Sequence, residues 1–157
     1  MWFDKTMSES IKNIAAAQLK VQKEIKDISK DSTGYGYKYT SFDKLVQYLR
    51  PLLAKHGISF IQMPVGGDKY DEGNGTVGLQ TLYMHAESGE WITNVIKSPV
   101  AESKGMNQYQ SIGSAITYFR RYSLSSFVGI ASEEDVDAAS KETRKPTTKT
   151  NKGEDEW

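Results

Sequence analysis

Between Ser103 and Ser132 the chain carries not one acidic residue, and inside that interval the residues from Gly113 to Tyr122 have helical spacing. At about 100° per residue, Ile112, Ala115, Ile116, Phe119 and Tyr122 fall on one face, Ser114, Thr117 and Arg121 on the opposite one, and Arg120 on the flank between them. A helix divided in this way packs one side and offers guanidinium and hydroxyl groups on the other. Guanidinium forks pair with two phosphate oxygens at once, so such a face suits a phosphate backbone, and it contains no nucleophile. The same two arginines could equally form a solvated face, or pair with the carboxylates that follow at Glu133, Glu134, Asp135 and Asp137.

The rest of the chain supplies the body on which such a helix would rest. From Ser8 to Ser29, Ile11, Ile14, Val21, Ile25 and Ile28 recur at helical spacing among Lys12, Lys20, Lys23 and Lys26, which predicts an amphipathic helix. A second helix begins near Ser41, a natural N-cap, buries Phe42, Leu45, Val46, Leu49, Leu52 and Leu53, and stops at Gly57. Pro51 should kink it or restart it, because proline removes a backbone donor. His56 near its end needs no explanation beyond the helix dipole. Three strands follow, at Ile58–Val65, Thr76–Ala86 and Trp91–Lys97, the last two joined as a hairpin through the tight turn at Glu87–Glu90. Helix, helix, three strands and a long helix make an α+β domain with helices packed on one face of an antiparallel three-stranded sheet.

Before the second helix, Tyr35, Tyr37, Lys38 and Tyr39 form a basic, aromatic cluster flanked by Gly34 and Gly36. Aromatic rings stack on unpaired bases for about 1–3 kcal/mol each, with Lys38 placed to meet a phosphate. The alternative is a short strand whose tyrosines pack on the core. Ahead of the long helix, Lys104, Gln108 and Gln110 add donors for phosphates or base edges, and Tyr109 and Tyr118 add stacking surfaces.

Several functions are disfavoured. The chain has no cysteine, which removes disulfides, thiolate catalysis and cysteine-ligated zinc. His85 has no second histidine at ligand spacing, so no metal is expected. The glycine-rich connection from Gly66 to Gly75 lacks the Gly-Lys-Ser or Gly-Lys-Thr ending and the strand-to-helix setting of a phosphate loop, so neither ATP nor any other cofactor is expected. No apolar stretch approaches the length that spans a bilayer, and the charged residues Asp4 and Lys5 interrupt any leader, which leads us to expect a cytoplasmic protein without membrane contact. Over 157 residues the charges cancel, yet residues 1–131 hold 15 basic against 12 acidic side chains and residues 132–157 hold 5 against 8. The folded part is mildly basic and the end acidic.

The order of residues from Gly113 through Arg120, Arg121 and Tyr122 to Gly129, Ile130, Ala131 and the acids ending at Asp137 resembles the ERF family of phage single-strand annealing proteins. So does the upstream stretch from Tyr37 to Ser41 leading into Leu49–Ile58. The resemblance spans most of residues 1–137. It implies a Rad52-like annealing core, with a curved sheet, a crossing long helix and subunits side by side in a ring or filament around single-stranded DNA. The implied activity is ATP-independent binding and annealing of complementary strands in phage recombination, in a bacterial host cytoplasm and without enzymatic chemistry. The DNA-binding set is then Lys38, Tyr39, Lys104, Gln108, Tyr109, Gln110, Tyr118, Arg120 and Arg121. Arg121→Ala should weaken single-strand binding with little loss of fold stability.

Residues 138–157, rich in Lys, Thr and Asn, hold too little apolar surface to offset their ordering entropy and should form a disordered tail beyond a domain of residues 1–137. The tip, Glu154, Asp155, Glu156 and Trp157, is similar to the acidic, aromatic-ended tails by which single-strand binding proteins recruit partners. A recombination nuclease or a single-strand binding protein would be such a partner. A solubilising role, or competition with DNA for the basic groove, stays open. Two rival functions are a protein-interaction module without annealing activity and a metal-dependent nuclease built on Glu133, Glu134, Asp135 and Asp137.

Overall fold

Apolar spacing of 3.6 residues at the two ends of the chain and of two in its middle yields a sheet with helices on one side. The computed structural model describes residues 5–26, 28–34, 38–66, 75–100 and 105–133. Its elements in order are α1 (Lys12–Glu24), β1 (Ser32–Thr33), β2 (Lys38–Tyr39), α2 (Phe42–Lys55), β3 (Ile58–Gly66), β4 (Thr76–His85), β5 (Trp91–Pro99) and α3 (Gln108–Val128). The fold is α+β, as the sequence predicts, with β3, β4 and β5 forming an antiparallel meander. The acids Glu134, Asp135 and Asp137, the tail from 138 on, Lys104, Tyr35 and Tyr37 lie outside the described residues.

Each strand of the sheet alternates. In β4, Val77, Leu79, Thr81 and Tyr83 are buried beneath the helices. The opposite face carries Ile61 and Met63 of β3 and Val95 of β5, all more than a third exposed. Met63, Gln80 and Val95 stand side by side across the three strands. Gly78 occupies a place where a Cβ would lie 2.7 Å from the Ile96 carbonyl oxygen, so no larger residue fits the middle of the sheet without moving backbone.

The main core joins Ile14, Ala17 and Val21 of α1, Leu45, Leu49 and Leu53 of α2, Ile58 of β3, Tyr83 of β4, and Leu124 and Val128 of α3. Tyr83 stacks on Phe127 with ring centroids 3.6 Å apart, and its hydroxyl donates to the Ser123 carbonyl at 2.7 Å. Burial raises its pKa above that of a free phenol. A second, smaller cluster of Val77, Leu79 and Phe119 seats the N-terminal half of α3 on the sheet, with Ile112, Ala115 and Ile116 packed around it.

The helix ends follow local chemistry, with one exception. Ser41 caps α2 as expected, accepting from the Lys44 amide, and is itself held by Asp31. Gly57, at φ +69°, follows the last turn. Pro51 does not break α2, which runs through it to Lys55. It lies on the exposed face, where water can satisfy the carbonyl that a proline leaves without a donor. The exception is α1, which is shorter than the predicted Ser8–Ser29 and whose N-cap residue, Ile11, has no side-chain acceptor. Glu90, from the β4–β5 turn, caps it instead: its carboxylate accepts from the Asn13 amide at 2.7 Å and the Ile14 amide at 2.9 Å, and from the Ser10 hydroxyl at 2.6 Å. Residues Thr6–Ser8 meanwhile run along β5, with Ser8 N–H donating to Trp91 O and Thr93 N–H to Thr6 O.

Candidate nucleic-acid interface

Helix α3 starts at a capping box, in which the Asn107 side chain accepts from the Gln110 amide and the Gln110 side-chain oxygen accepts from the Asn107 amide, both at 2.9 Å. It ends at Gly129, after which the chain reverses. The Thr40 amide donates to the Ser132 carbonyl at 2.9 Å, and Tyr39 bridges to Glu133. This return covers a side of α3 that helical periodicity alone assigns to solvent.

Arg121 is therefore not on an open face. It is 6% exposed, and its Nη2 donates to Glu133 Oε1 at 2.6 Å. Its guanidinium lies 4.3 Å from the centre of the Tyr39 ring and 5.4 Å from those of Tyr118 and Tyr122. A cation shared by three rings and a carboxylate contributes to stability, because a buried guanidinium would otherwise lose its hydration uncompensated. The Nε atom is buried without an acceptor among the described residues. Burial, together with hydrogen bonds to Glu133 and Tyr118, raises the pKa of the neighbouring Tyr122. This burial and ion pair count against the expectation that Arg121→Ala would cost little fold stability, and of the two roles read for the arginine pair they favour that of carboxylate partner.

Arg120 points the other way, as a step of about 100° requires. Its guanidinium sits 4.2 Å above the Phe42 ring of α2, and its Nε donates to Gln62 Oε1 of β3 at 3.3 Å. Gln62 returns a hydrogen bond from Nε2 to the Arg120 carbonyl at 3.0 Å. No carboxylate pairs with Arg120 among the described residues.

The structure brings some of the expected residues together and separates others. Tyr39, Tyr118 and Arg121, with Gly34, Gly113, Ser114 and Thr117, line a cleft of about 440 Å³ between the β1–β2 ribbon and α3. Lys38 is exposed beside it on β2. Tyr39 occupies a short strand and is half-buried, which favours the packing role for its ring. Gln108 and Tyr109 are exposed at the N-terminal end of α3, Tyr109 by 86%, and eleven residues separate Gln110 from Arg121, about 16 Å along the axis. Gln110 acts first as a cap. Sequence reasoning missed Arg50, which is exposed on α2 next to Arg120 and hidden in the apolar run Leu49–Leu53, and Gln62, whose role depends on sheet register. Among the described residues no three His, Asp or Glu side chains are grouped to hold a metal ion, and no helix is long and apolar enough to cross a membrane.

Fold and site together define an α+β domain whose long helix turns arginine, tyrosine and hydroxyl side chains toward clefts on its two flanks. The ERF superfamily model matches residues 14–156, and the chain belongs to that superfamily, a group of phage proteins of single-strand annealing and recombination. Comparison with curated proteins and with solved structures gives no match. At the level of the family, interaction with single-stranded DNA is general, and its annealing proteins are generally not enzymes.

Proposed function

We propose that this chain binds single-stranded DNA and anneals complementary strands without nucleotide hydrolysis, acting as an oligomer in phage recombination within a host cytoplasm. The observation that carries the reading is the surface of α3: an acid-free interval in which half-buried Arg120 lines a cleft without a carboxylate partner among the described residues, with exposed Tyr109 farther along the helix and exposed Tyr118 on its other flank. Cations hold the backbone while rings stack on bases, and both contacts tolerate any sequence. Annealing then draws its free energy from the new duplex, about 1.4 kcal/mol per base-pair step, so the protein need form no covalent bond.

Residues 1–137 serve as the annealing unit. A mildly basic single domain grips a strand weakly, and repetition of subunits along that strand multiplies modest contacts through effective concentration. Thr6–Ser8 already cover part of the β5 edge, which leaves β3 as the edge without a strand partner among the described residues and the natural place for a neighbouring subunit.

The test is a titration of labelled single-stranded oligonucleotide at low salt, with the mass of the complex measured in parallel. Tight binding that falls with salt, in complexes of several subunits, is the expected result. A second reading, a protein-interaction module, draws on the exposed Ile61, Met63 and Val95 of the outer sheet face. A protein that assembles and yet has no affinity for single strands would favour it.

A further inference from the structure

Two arginines far apart in sequence converge on a cleft that lies away from the Arg121 cluster. It is formed by α2, the first half of β3 and α3, has a volume of about 390 Å³, and is lined by Arg50, Ala54, Ser59, Phe60, Gln62 and Arg120 among others. No acid lines it. Arg50 makes no hydrogen bond or ion pair among the described residues. Arg120 is fixed by Phe42 beneath it and by Gln62 at its Nε, while Gln62 is fixed in turn by the Arg120 carbonyl and by Thr81 Oγ1 at 3.4 Å. These contacts occupy the inner edge of the Arg120 guanidinium and leave Nη1 and Nη2 without a protein acceptor among the described residues.

We propose that this cleft is a phosphodiester-binding subsite, with Arg50 and Arg120 as its two guanidinium ligands. The inference rests on the proposed function and sharpens it, because it moves the grip on the strand from the Arg121 side of α3 to the Arg120 side and adds a residue from α2. Two like charges facing one space without a counter-charge repel each other, and an anion between them relieves that repulsion. The guanidinium of Arg120 is already held in place, so little rotamer freedom is given up when a phosphate docks. Phe60 and Ala54 give the cleft an apolar wall for the sugar or base attached to that phosphate, and the Ser59 hydroxyl adds a donor. The space falls within the roughly 300–1,000 Å³ of small-ligand sites, enough for a nucleotide unit rather than a bare ion. The cleft beside Arg121 is no smaller, but there the guanidinium is already paired with the Glu133 carboxylate.

The test compares three full-length proteins, wild type, Arg50→Ala and Lys20→Ala, in salt titrations of a fluorescein-labelled oligothymidylate followed by anisotropy. Lys20 is an exposed lysine of α1 and reports the effect of removing any one positive charge. The expected result is an affinity about 10-fold lower for Arg50→Ala at unchanged thermal unfolding, with the slope of log K against log salt reduced by about 0.7 for each phosphate no longer neutralised, and a Lys20→Ala protein that matches wild type. Arg50→Ala binding like wild type overturns the subsite and leaves the function standing. Equal weakening in both variants also overturns it, as bulk charge would then explain the effect. A wild-type protein without affinity for the oligonucleotide removes the functional reading and the subsite with it. Poly-glutamate that binds wild type as tightly as the strand does, and fails to bind Arg50→Ala, would reassign the cleft to an acidic peptide and overturn the phosphodiester.

Discussion

Arg120 and Arg121 are consecutive residues of one helix, and their surroundings share almost nothing. Arg121 faces the β1–β2 ribbon and the returning chain at Ser132–Glu133, which enclose its charge between Tyr39, Tyr118, Tyr122 and Glu133. Arg120 faces α2 and β3, which support its guanidinium from below and leave its outer edge open beside Arg50. One flank of α3 encloses its arginine within the fold, and the other leaves its arginine facing a cleft, where the proposed function places the strand. An arginine pair in a sequence is therefore two separate statements, separated by about 100° of helix and decided by what packs on each side.

The largest effect should come from the enclosed flank. Arg121→Ala leaves the Glu133 carboxylate partly buried without its cation and removes the guanidinium under three rings, and should cost about 3 kcal/mol in urea unfolding. A decrease of only a few tenths would erase the difference between the two flanks. Glu133→Gln keeps an acceptor oxygen for Arg121 and removes the charge, so its cost should be smaller, about 1–2 kcal/mol by the same measurement. Arg120→Ala gives up a half-exposed cation–π contact and one hydrogen bond, and should cost at most about 1 kcal/mol while weakening strand binding about as much as Arg50→Ala does. A destabilisation as large as that of Arg121→Ala would make both arginines structural.

Glu90 offers a control that touches neither flank. Burial disfavours its charge, yet hydrogen bonds from Ser10, Ile14 and Asn13 outweigh that and hold its pKa below the ordinary 4.5. A carboxylate with a depressed folded pKa contributes stability above the unfolded value and loses it as pH falls through the folded one. Wild type should accordingly weaken as pH drops below about 4.5, the reference value for this carboxyl, and Glu90→Gln should show a shallower acid dependence there, its deficit against wild type present at neutral pH and shrinking in acid. Acid unfolding curves that superimpose would show that the α1 cap carries no such linkage.

Features written in local sequence were legible in advance. Ser41 and Gly57 mark the ends of α2 because an N-cap hydroxyl and a positive-φ glycine act within one turn of chain. The strands sit within two residues of their expected limits because alternation and turn residues define them locally. What escaped depends on partners brought together by the fold. The enclosure of Arg121 needs Tyr39 from the far end of the domain, and the α1 cap needs Glu90 from a hairpin turn. Arg50 reads as one more polar residue of an amphipathic helix until β3 and α3 place Gln62 and Arg120 on the same cleft. Glu133 is near Arg121 in sequence, but even here the helix must end at Gly129 and the chain reverse before the two can meet.

The central claim, that cations on the Arg120 flank hold a single strand while its bases remain free to pair, is tested most directly by annealing kinetics. Two complementary oligonucleotides that pair slowly alone are mixed with wild type or Arg50→Ala in the absence of nucleotide, and duplex formation is followed by fluorescence. The account predicts faster pairing with wild type and a smaller acceleration with Arg50→Ala. Pairing that is no faster with wild type than without protein would contradict it.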